Sequence, residues 1–419
     1  MLHPMLKTVF DAFERVGIAW CLLRGETGEE FPGGDLDLLV SRDDLGRARQ
    51  ILKALGFAPL PAWGRGSHHF FLSYHPPTDR WIELDIVTEL SYGPGFSLET
   101  GAQGGCLARR QYHDGVAVLA PDDAFWTLLL HCLLDKGEFP IHHRVRLSEL
   151  ATEARTESQL AHVVARACPA GWTVERIVAS VRHGEWSVLA DLAPLLAAKW
   201  ARQDPLRTLR RVAVNRFFRL LEKPLMLRRR RGLSVALLGP DGVGKSTLAE
   251  SVSRSYYFPS RLVYMGMWSR DETDPSGLPA AILQALRRPF RVWRRYAMAL
   301  YHQTRGRLVI FDRYTYDAVI PPQPPYTRLK QLYFWLLRHL CPAPDLVLVL
   351  DAPGHVMYAR KGEESPESLE IERQFFLTLR DRIPQLQIVD ATRAQEVIRI
   401  DVIDRIWRRN LARLNLKRK

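Results

Sequence analysis

Cysteine is scarce and unpatterned in this chain. The five cysteines (Cys21, Cys106, Cys132, Cys168 and Cys341) are odd in number, dispersed, and form no CxxC. That excludes a disulfide framework or a cysteine zinc site and points to a reducing cytoplasm. Long apolar runs are also missing. The longest, such as Phe125 to Leu134 and Leu332 to Leu337, fall well short of the ~20 residues that cross a bilayer. The opening MLHPMLKTVFDAFERVG is amphipathic with early acids, unlike a secretory signal. There is no internal repeat and no long low-complexity linker.

Acidic residues are short in one half only. Residues 1–200 carry 19 Lys and Arg against 25 Asp and Glu, a net of −6, whereas the rest carry 40 against 21, a net of +19. The excess concentrates in Arg228 to Arg231, in RRPFRVWRRYAMAL (287–300) and in the tail RRNLARLNLKRK. One reading is a solvated basic surface serving phosphate chemistry on a small-molecule acceptor. The other is contact with a polyanion, either nucleic acid or an anionic membrane surface. At 419 residues, with 47% hydrophobic and 25% charged side chains, the chain is globular and long enough for two or three domains.

What the chain does have is Gly239-Pro-Asp-Gly-Val-Gly-Lys-Ser-Thr247, which fills the pattern GxxxxGK[ST]. Leu233 to Leu238 reads as a buried strand before it, and Thr247 to Tyr256 as the start of a helix after it. Between them Gly239, Gly242 and Gly244 let backbone N–H groups turn inward around phosphate oxygens, with Asp241 and Thr247 in the same loop. Lys245 is placed for the β- and γ-phosphates and the Ser246 hydroxyl for magnesium. This pattern predicts an ATP and Mg2+ site.

After the loop, strand and helix signals alternate at the spacing of a doubly wound parallel sheet. Strands are expected over 261–268, 307–312, 345–351 and 386–391, and helices over 280–304, 327–340 and 393–411. Ligands of such sheets bind at the carboxyl ends of the strands. Asp312-Arg313-Tyr314 ends one strand, where Asp312 suits magnesium and Arg313 suits an acceptor anion. Asp351-Ala-Pro-Gly ends another. Arg360-Lys361-Gly-Glu-Glu precedes a helix and suits a mobile lid that carries cations over a transferring phosphoryl group.

With GPDGVGKST, FDRY, VLDAP, ARKGEESPESLEIERQFF and QIVDA in this order, residues 233–411 resemble the thymidylate kinase family of nucleoside-monophosphate kinases. The resemblance implies that Lys245 and Ser246 handle ATP and magnesium, that Asp312 is a magnesium carboxylate, that Arg313 faces the acceptor, and that Asp241 meets an acceptor hydroxyl. Some members carry a catalytic arginine in the loop. Gly242 stands there in this chain, so Arg360 or Lys361 is expected to supply the charge. Thymidylate kinases also follow the second strand with a base-gripping segment, whereas this strand ends Met267-Trp268-Ser269-Arg270. The expected main acceptor is therefore not dTMP.

A second constellation lies in WCLLRGETGEEFPGGDLDLLV (20–40). A strand ends at Arg24-Gly25, and Asp35 and Asp37 alternate with leucines on the next, so both carboxylates leave one face. Two such carboxylates repel unless a divalent cation lies between them. Asp85, with Glu83 on the same face, arrives on RWIELDIV (80–87), completing the carboxylate set of a two-metal site for attack at an α-phosphate. Over residues 15–135 this resembles the DNA polymerase β-like nucleotidyltransferase superfamily, with Glu26 in place of the usual second small residue of the glycine turn.

The pairs His68-His69 and His142-His143 are expected on the surface, since neighbours on a strand point to opposite faces. The aromatics around Trp335 sit at helical spacing, which predicts a core role. The expected fold class is α/β: an α+β nucleotidyltransferase-like domain over 1–140, a helical connector over 141–230, and a P-loop kinase domain over 231–419. Function is expected to be phosphoryl and nucleotidyl transfer on a small metabolite such as a nucleotide, sugar or polyol. An ATP-switched binding protein, its nucleotidyltransferase domain inactive, is the second reading.

Overall fold

The computed structural model describes residues 2–24, 35–153, 158–229, 232–266, 278–316, 327–339, 341–362 and 364–416. The chain divides into two compact units, Met1–His75 with Arg80–Lys223, and Pro76–Asp79 with Pro224–Lys419.

The first unit is built on a mixed sheet. Its strands are β1 (Trp20–Leu22), β2 (Asp35–Val40), β3 (Ala58–Pro59), β4 (His68–His75) and β5 (Arg80–Val87), followed after a small hairpin, β6 (Ser91–Tyr92) and β7 (Leu98–Glu99), by β8 (Gln111–His113) and β9 (Val116–Val118). The sheet order is β3-β4-β5-β2-β1-β9-β8, with β2 and β5 parallel and β1 antiparallel to β2. Helices α1 (Pro4–Val16), α2 (Leu45–Ala54), α3 (Gln103–Ala108) and α4 (Pro121–Leu130) belong to the sheet region. α1 begins where the His3 ring accepts the Met5 N–H and stops at Gly17, whose φ of 68° only glycine adopts cheaply.

The stretch expected to be a separate connector packs otherwise. Helices α5 (Ile141–Glu153), α6 (Gln159–Ala167), α7 (Val174–Arg182) and α8 (Trp186–Gln203) share one continuous core with the sheet, in which Leu147, Ile177 and Leu196 are as buried as Trp20 and Leu38. α9 (Pro205–Arg229) lies along the same unit through Arg211 to Glu89 and Asn215 to the Gly95 carbonyl. The approach is close: a Cβ on Gly64 would fall 2.2 Å from the Asn215 carbonyl oxygen. These helices pack on one another and on α4, and through α4 their apolar faces join the core of the unit.

The second unit is a five-stranded parallel sheet of order β11-β12-β10-β13-β14, formed by β10 (Ser234–Leu238), β11 (Ser260–Tyr264), β12 (Leu308–Asp312), β13 (Leu346–Asp351) and β14 (Leu386–Asp390). The three inner strands are apolar runs buried on both faces, as a parallel sheet between helices requires. The crossovers carry α10 (Lys245–Ser255), α11 (Leu278–Thr304), α12 (Thr327–His339), α13 (Gly354–Lys361) and α14 (Pro366–Leu377), and α15 (Gln395–Leu416) follows β14. The α/β class expected from the sequence is therefore the fold observed. The core role expected around Trp335 is not: Leu332, Trp335 and Leu336 are all more than half exposed on α12.

Candidate active sites

At the carboxyl ends of β10 and β12 a cleft of about 650 Å3 is lined by Asp241, Gly242, Gly244, Lys245, Ser246, Thr247, Asp312, Arg313, Arg360 and Lys361, together with Tyr264 and Arg295. The loop between β10 and α10 can turn as it does because Gly239, Gly242 and Gly244 take φ of 138°, 81° and 102°. A Cβ on Gly242 would also meet the Met357 carbonyl oxygen at 2.6 Å, so the backbone leaves no room for the arginine that some loops carry. Lys245 is buried and donates to the Gly239 and Pro240 carbonyl oxygens at 2.8 Å and to Asp241 at 3.3 Å.

Asp241 is the hub of this cleft. Its carboxylate accepts from Lys245, from Arg313, and from Lys361 at 3.3 Å. Burial raises its pKa, but the charges of Lys245, Arg313 and Lys361 outweigh burial and hold it at about 2. Arg313 reaches this position with a φ of 68° directly after β12, an uncommon conformation for a residue with a side chain. Because the folded pKa lies below the unfolded one, the contribution of this hub is complete above the ordinary carboxylate range and is lost as pH falls from about 4 towards 2. In acid-unfolding titrations the stability gap between wild type and Asp241→Asn should close across that window. A gap that persists to the lowest pH would remove the hub as its cause.

Ser246 donates to Asp312 Oδ2 at 2.6 Å, while Asp312 Oδ1 is buried with no hydrogen-bond partner among the described residues. A hydroxyl beside a carboxylate with one unsatisfied oxygen suits a hard cation. The lid residues divide. Both lie in the last turn of α13, which Gly362 ends at φ 68°. Lys361 turns to Asp241, but Arg360 donates to the Ala391 carbonyl at 3.0 Å and leans on that of Val243 at 3.5 Å. Arg360 thus brackets the loop against the end of β14.

In the first unit a cleft of about 630 Å3 gathers Asp37, Asp85, Arg24, His68, Phe96 and Arg219 among its lining. Parallel pairing sets Asp37 in register with Asp85 and Asp35 with Glu83. Arg24 Nε lies 2.9 Å from Asp37 Oδ2, and His68 Nδ1 lies 2.6 Å from Asp85 Oδ2. Burial raises the Asp37 pKa, and although Arg24 opposes this, Asp85 adds to it. Asp85 Oδ1 is buried and has no partner among the described residues. Of the three expected carboxylates, Asp37 and Asp85 come together in this cleft; the Asp35 side chain and the turn carrying Glu26 lie outside the described residues, and Glu83 does not line the cleft. Among the described residues no group of three His, Cys, Asp or Glu could hold a metal.

Several lining residues escaped the sequence reading. His68 was expected on the surface, yet it touches Asp85 and packs on Phe96 at a ring distance of 4.7 Å. The signal was present: eight-residue strands flank Pro76–Asp79, so symmetric pairing matches His68 with Val87 and makes it the diagonal neighbour of Asp85. His69 does diverge, lying 3.1 Å from Arg49, and burial lowers its pKa to about 4. Arg219 enters the cleft from α9, bonded to the Gly64 carbonyl at 3.0 Å. Nothing in the sequence pairs it with a strand 130 or more positions away. Met267, Trp268, Ser269 and Arg270 lie outside the described residues.

Comparison with known proteins places residues 31–200 under the model of an uncharacterised nucleotidyltransferase family. That match runs through α5 to α8 and is in line with the nucleotidyltransferase resemblance of the amino-terminal sequence. Among solved structures, a thymidylate kinase from Candida albicans is 21% identical, covers 43% of this chain and 93% of its own, and superposes with a TM-score of 0.37. No curated protein sequence matches. Among the described residues no helix is long and apolar enough to cross a membrane. The family match supports a nucleotide-related transferase.

Proposed function

We propose that the chain is a cytoplasmic, bifunctional transferase: an ATP-dependent phosphotransferase in the second unit and a metal-dependent nucleotidyltransferase in the first. The observation that carries the kinase reading is the convergence of Lys245, Arg313 and Lys361 on Asp241 beside the Ser246–Asp312 pair. In this reading the loop amides and Lys245 hold the ATP phosphates. Lys245 exchanges its present carbonyl partners for β- and γ-oxygens, a switch its three rotatable donors allow. Arg313 and Lys361 face the charge that builds on the transferring phosphoryl group. Asp241, kept ionised by its neighbours, accepts a hydrogen bond from the acceptor hydroxyl and orients it. Ser246 and Asp312 would hold Mg2+, which supplies charge neutralisation between the phosphates.

In the first unit Asp37 and Asp85 would hold a divalent cation, which would supply charge neutralisation for displacement at the α-phosphate of a triphosphate. His68 fixes the rotamer of Asp85, leaving its second oxygen as the free acceptor. Arg24 and Arg219 supply positive charge at the same cleft. One metabolite, such as a nucleotide, sugar or polyol, is phosphorylated at one site and nucleotidylated at the other.

The test is ATP consumption against a panel of nucleoside monophosphates, sugars and polyols, with mass detection of each product. A non-dTMP acceptor should turn over fastest. Selective dTMP phosphorylation, with the other acceptors inert, would refute that expectation while leaving the kinase reading intact.

A further inference from the structure

The second unit has a surface that phosphate chemistry does not use. α11 carries five arginines, at 287, 288, 291, 294 and 295, of which only Arg295 lines the cleft described above, and no acidic residue. One face is seated: Val292, Ala299 and Gln303 are buried. On the opposite face Leu286, Phe290, Trp293 and Tyr301 are 65%, 79%, 60% and 55% exposed. Arg287 and Arg294 are exposed within the same stripe, at the three- and four-residue steps that keep side chains on one side of a helix. α12 repeats the composition, with Arg328, Lys330 and Arg338, no acid, and an exposed Leu332 and Trp335. Single exposed apolar residues need no explanation, but a continuous stripe of Leu, Phe, Trp and Tyr does.

We propose that this face of α11 docks on an anionic membrane surface, the helix lying in the plane of the headgroups. Leu286, Phe290 and Trp293 would enter the boundary between headgroups and acyl chains, and Arg287 and Arg294 would meet lipid phosphates, their stems covering apolar surface. The charge pattern selects this occupant. A second copy paired by a two-fold axis would set arginine against arginine with no acid on the helix to relieve it. A nucleic-acid backbone would satisfy the arginines but leave Leu283, Leu286 and Met298 against phosphates. An anionic bilayer takes both kinds of side chain at once. The proposal does not depend on either catalytic reading.

The experiment is co-sedimentation of the full chain with vesicles of phosphatidylcholine alone or mixed with phosphatidylglycerol, alongside light scattering of the protein in solution. Binding is expected on the mixed vesicles only and should weaken with salt. Phe290→Glu/Trp293→Glu and, separately, Arg287→Ala/Arg294→Ala should each lower partition by about tenfold or more, with circular dichroism and thermal melting unchanged because all four positions are exposed. Three results overturn the proposal. These are no preference for anionic vesicles, a dimer that Phe290→Glu/Trp293→Glu converts to monomer, or DNA binding that the arginine variant loses and the aromatic variant keeps.

Discussion

Lys245→Ala should lose on the order of a hundredfold or more in ATP-dependent phosphotransfer while the protein stays folded. The side chain is 6% exposed and sits where β10 passes into α10, with the ammonium already held by two loop carbonyls. Those contacts keep the charge within the loop, from which it can pass to phosphate oxygens, so truncation removes the loop's own cation. Stability should change far less. β10 is anchored by parallel pairing to β12 and β13 and by a buried apolar run, none of which involves Lys245. The measurement is turnover on the best acceptor from the panel, with circular dichroism and a thermal melt as controls. A folded variant that keeps its turnover ends the kinase assignment.

Asp37→Asn and Asp85→Asn should each cut pyrophosphate release from a nucleoside triphosphate by about a hundredfold, leaving ADP formation at the other cleft unchanged. The two carboxylates lie side by side in register on β2 and β5, so a cation shared by them would lose affinity when either is neutralised. His68→Gln offers a finer reading of the same site, since it removes the contact that orients Asp85 and spares both carboxylates. Its effect should be smaller than that of either Asn variant. Lys245→Ala in the same assays should lose ADP formation and keep pyrophosphate release. A wild-type protein that releases pyrophosphate from no triphosphate would leave the first unit as a substrate-binding module without transfer activity.

The two halves differ in how much local order could reveal. In the second unit the glycine loop, the order of the cationic motifs and the ends of β12 and β13 were legible, because each depends on neighbours within a few residues, whereas β11, expected to run to 268, ends at Tyr264. Gly239, Gly242 and Gly244 are needed for backbone angles that the loop imposes locally, and buried parallel strands announce themselves as apolar runs. Alternation on β2 and β5 likewise marked Asp37 and Asp85 before their pairing was known. Which partner each charged group would meet was a different matter.

Tertiary packing decided those partners. Asp241 meets Arg313 and Lys361 across 72 and 120 positions of sequence, and Arg360, one residue from Lys361, is turned by the helix to the Ala391 carbonyl instead. Adjacent residues on a helix diverge by a fixed angle, so a pair that reads as one lid splits between two duties. Likewise the helices over 141–203 carry amphipathic periods that any apolar surface could satisfy, and only the closed core shows that they pack on one another and on α4 within the first unit. Short-range spacing determined the elements and the chemistry each can present. Long-range contact, which no spacing encodes, determined which of those groups share a cleft and which apolar stripes, such as that of α11, were left facing solvent.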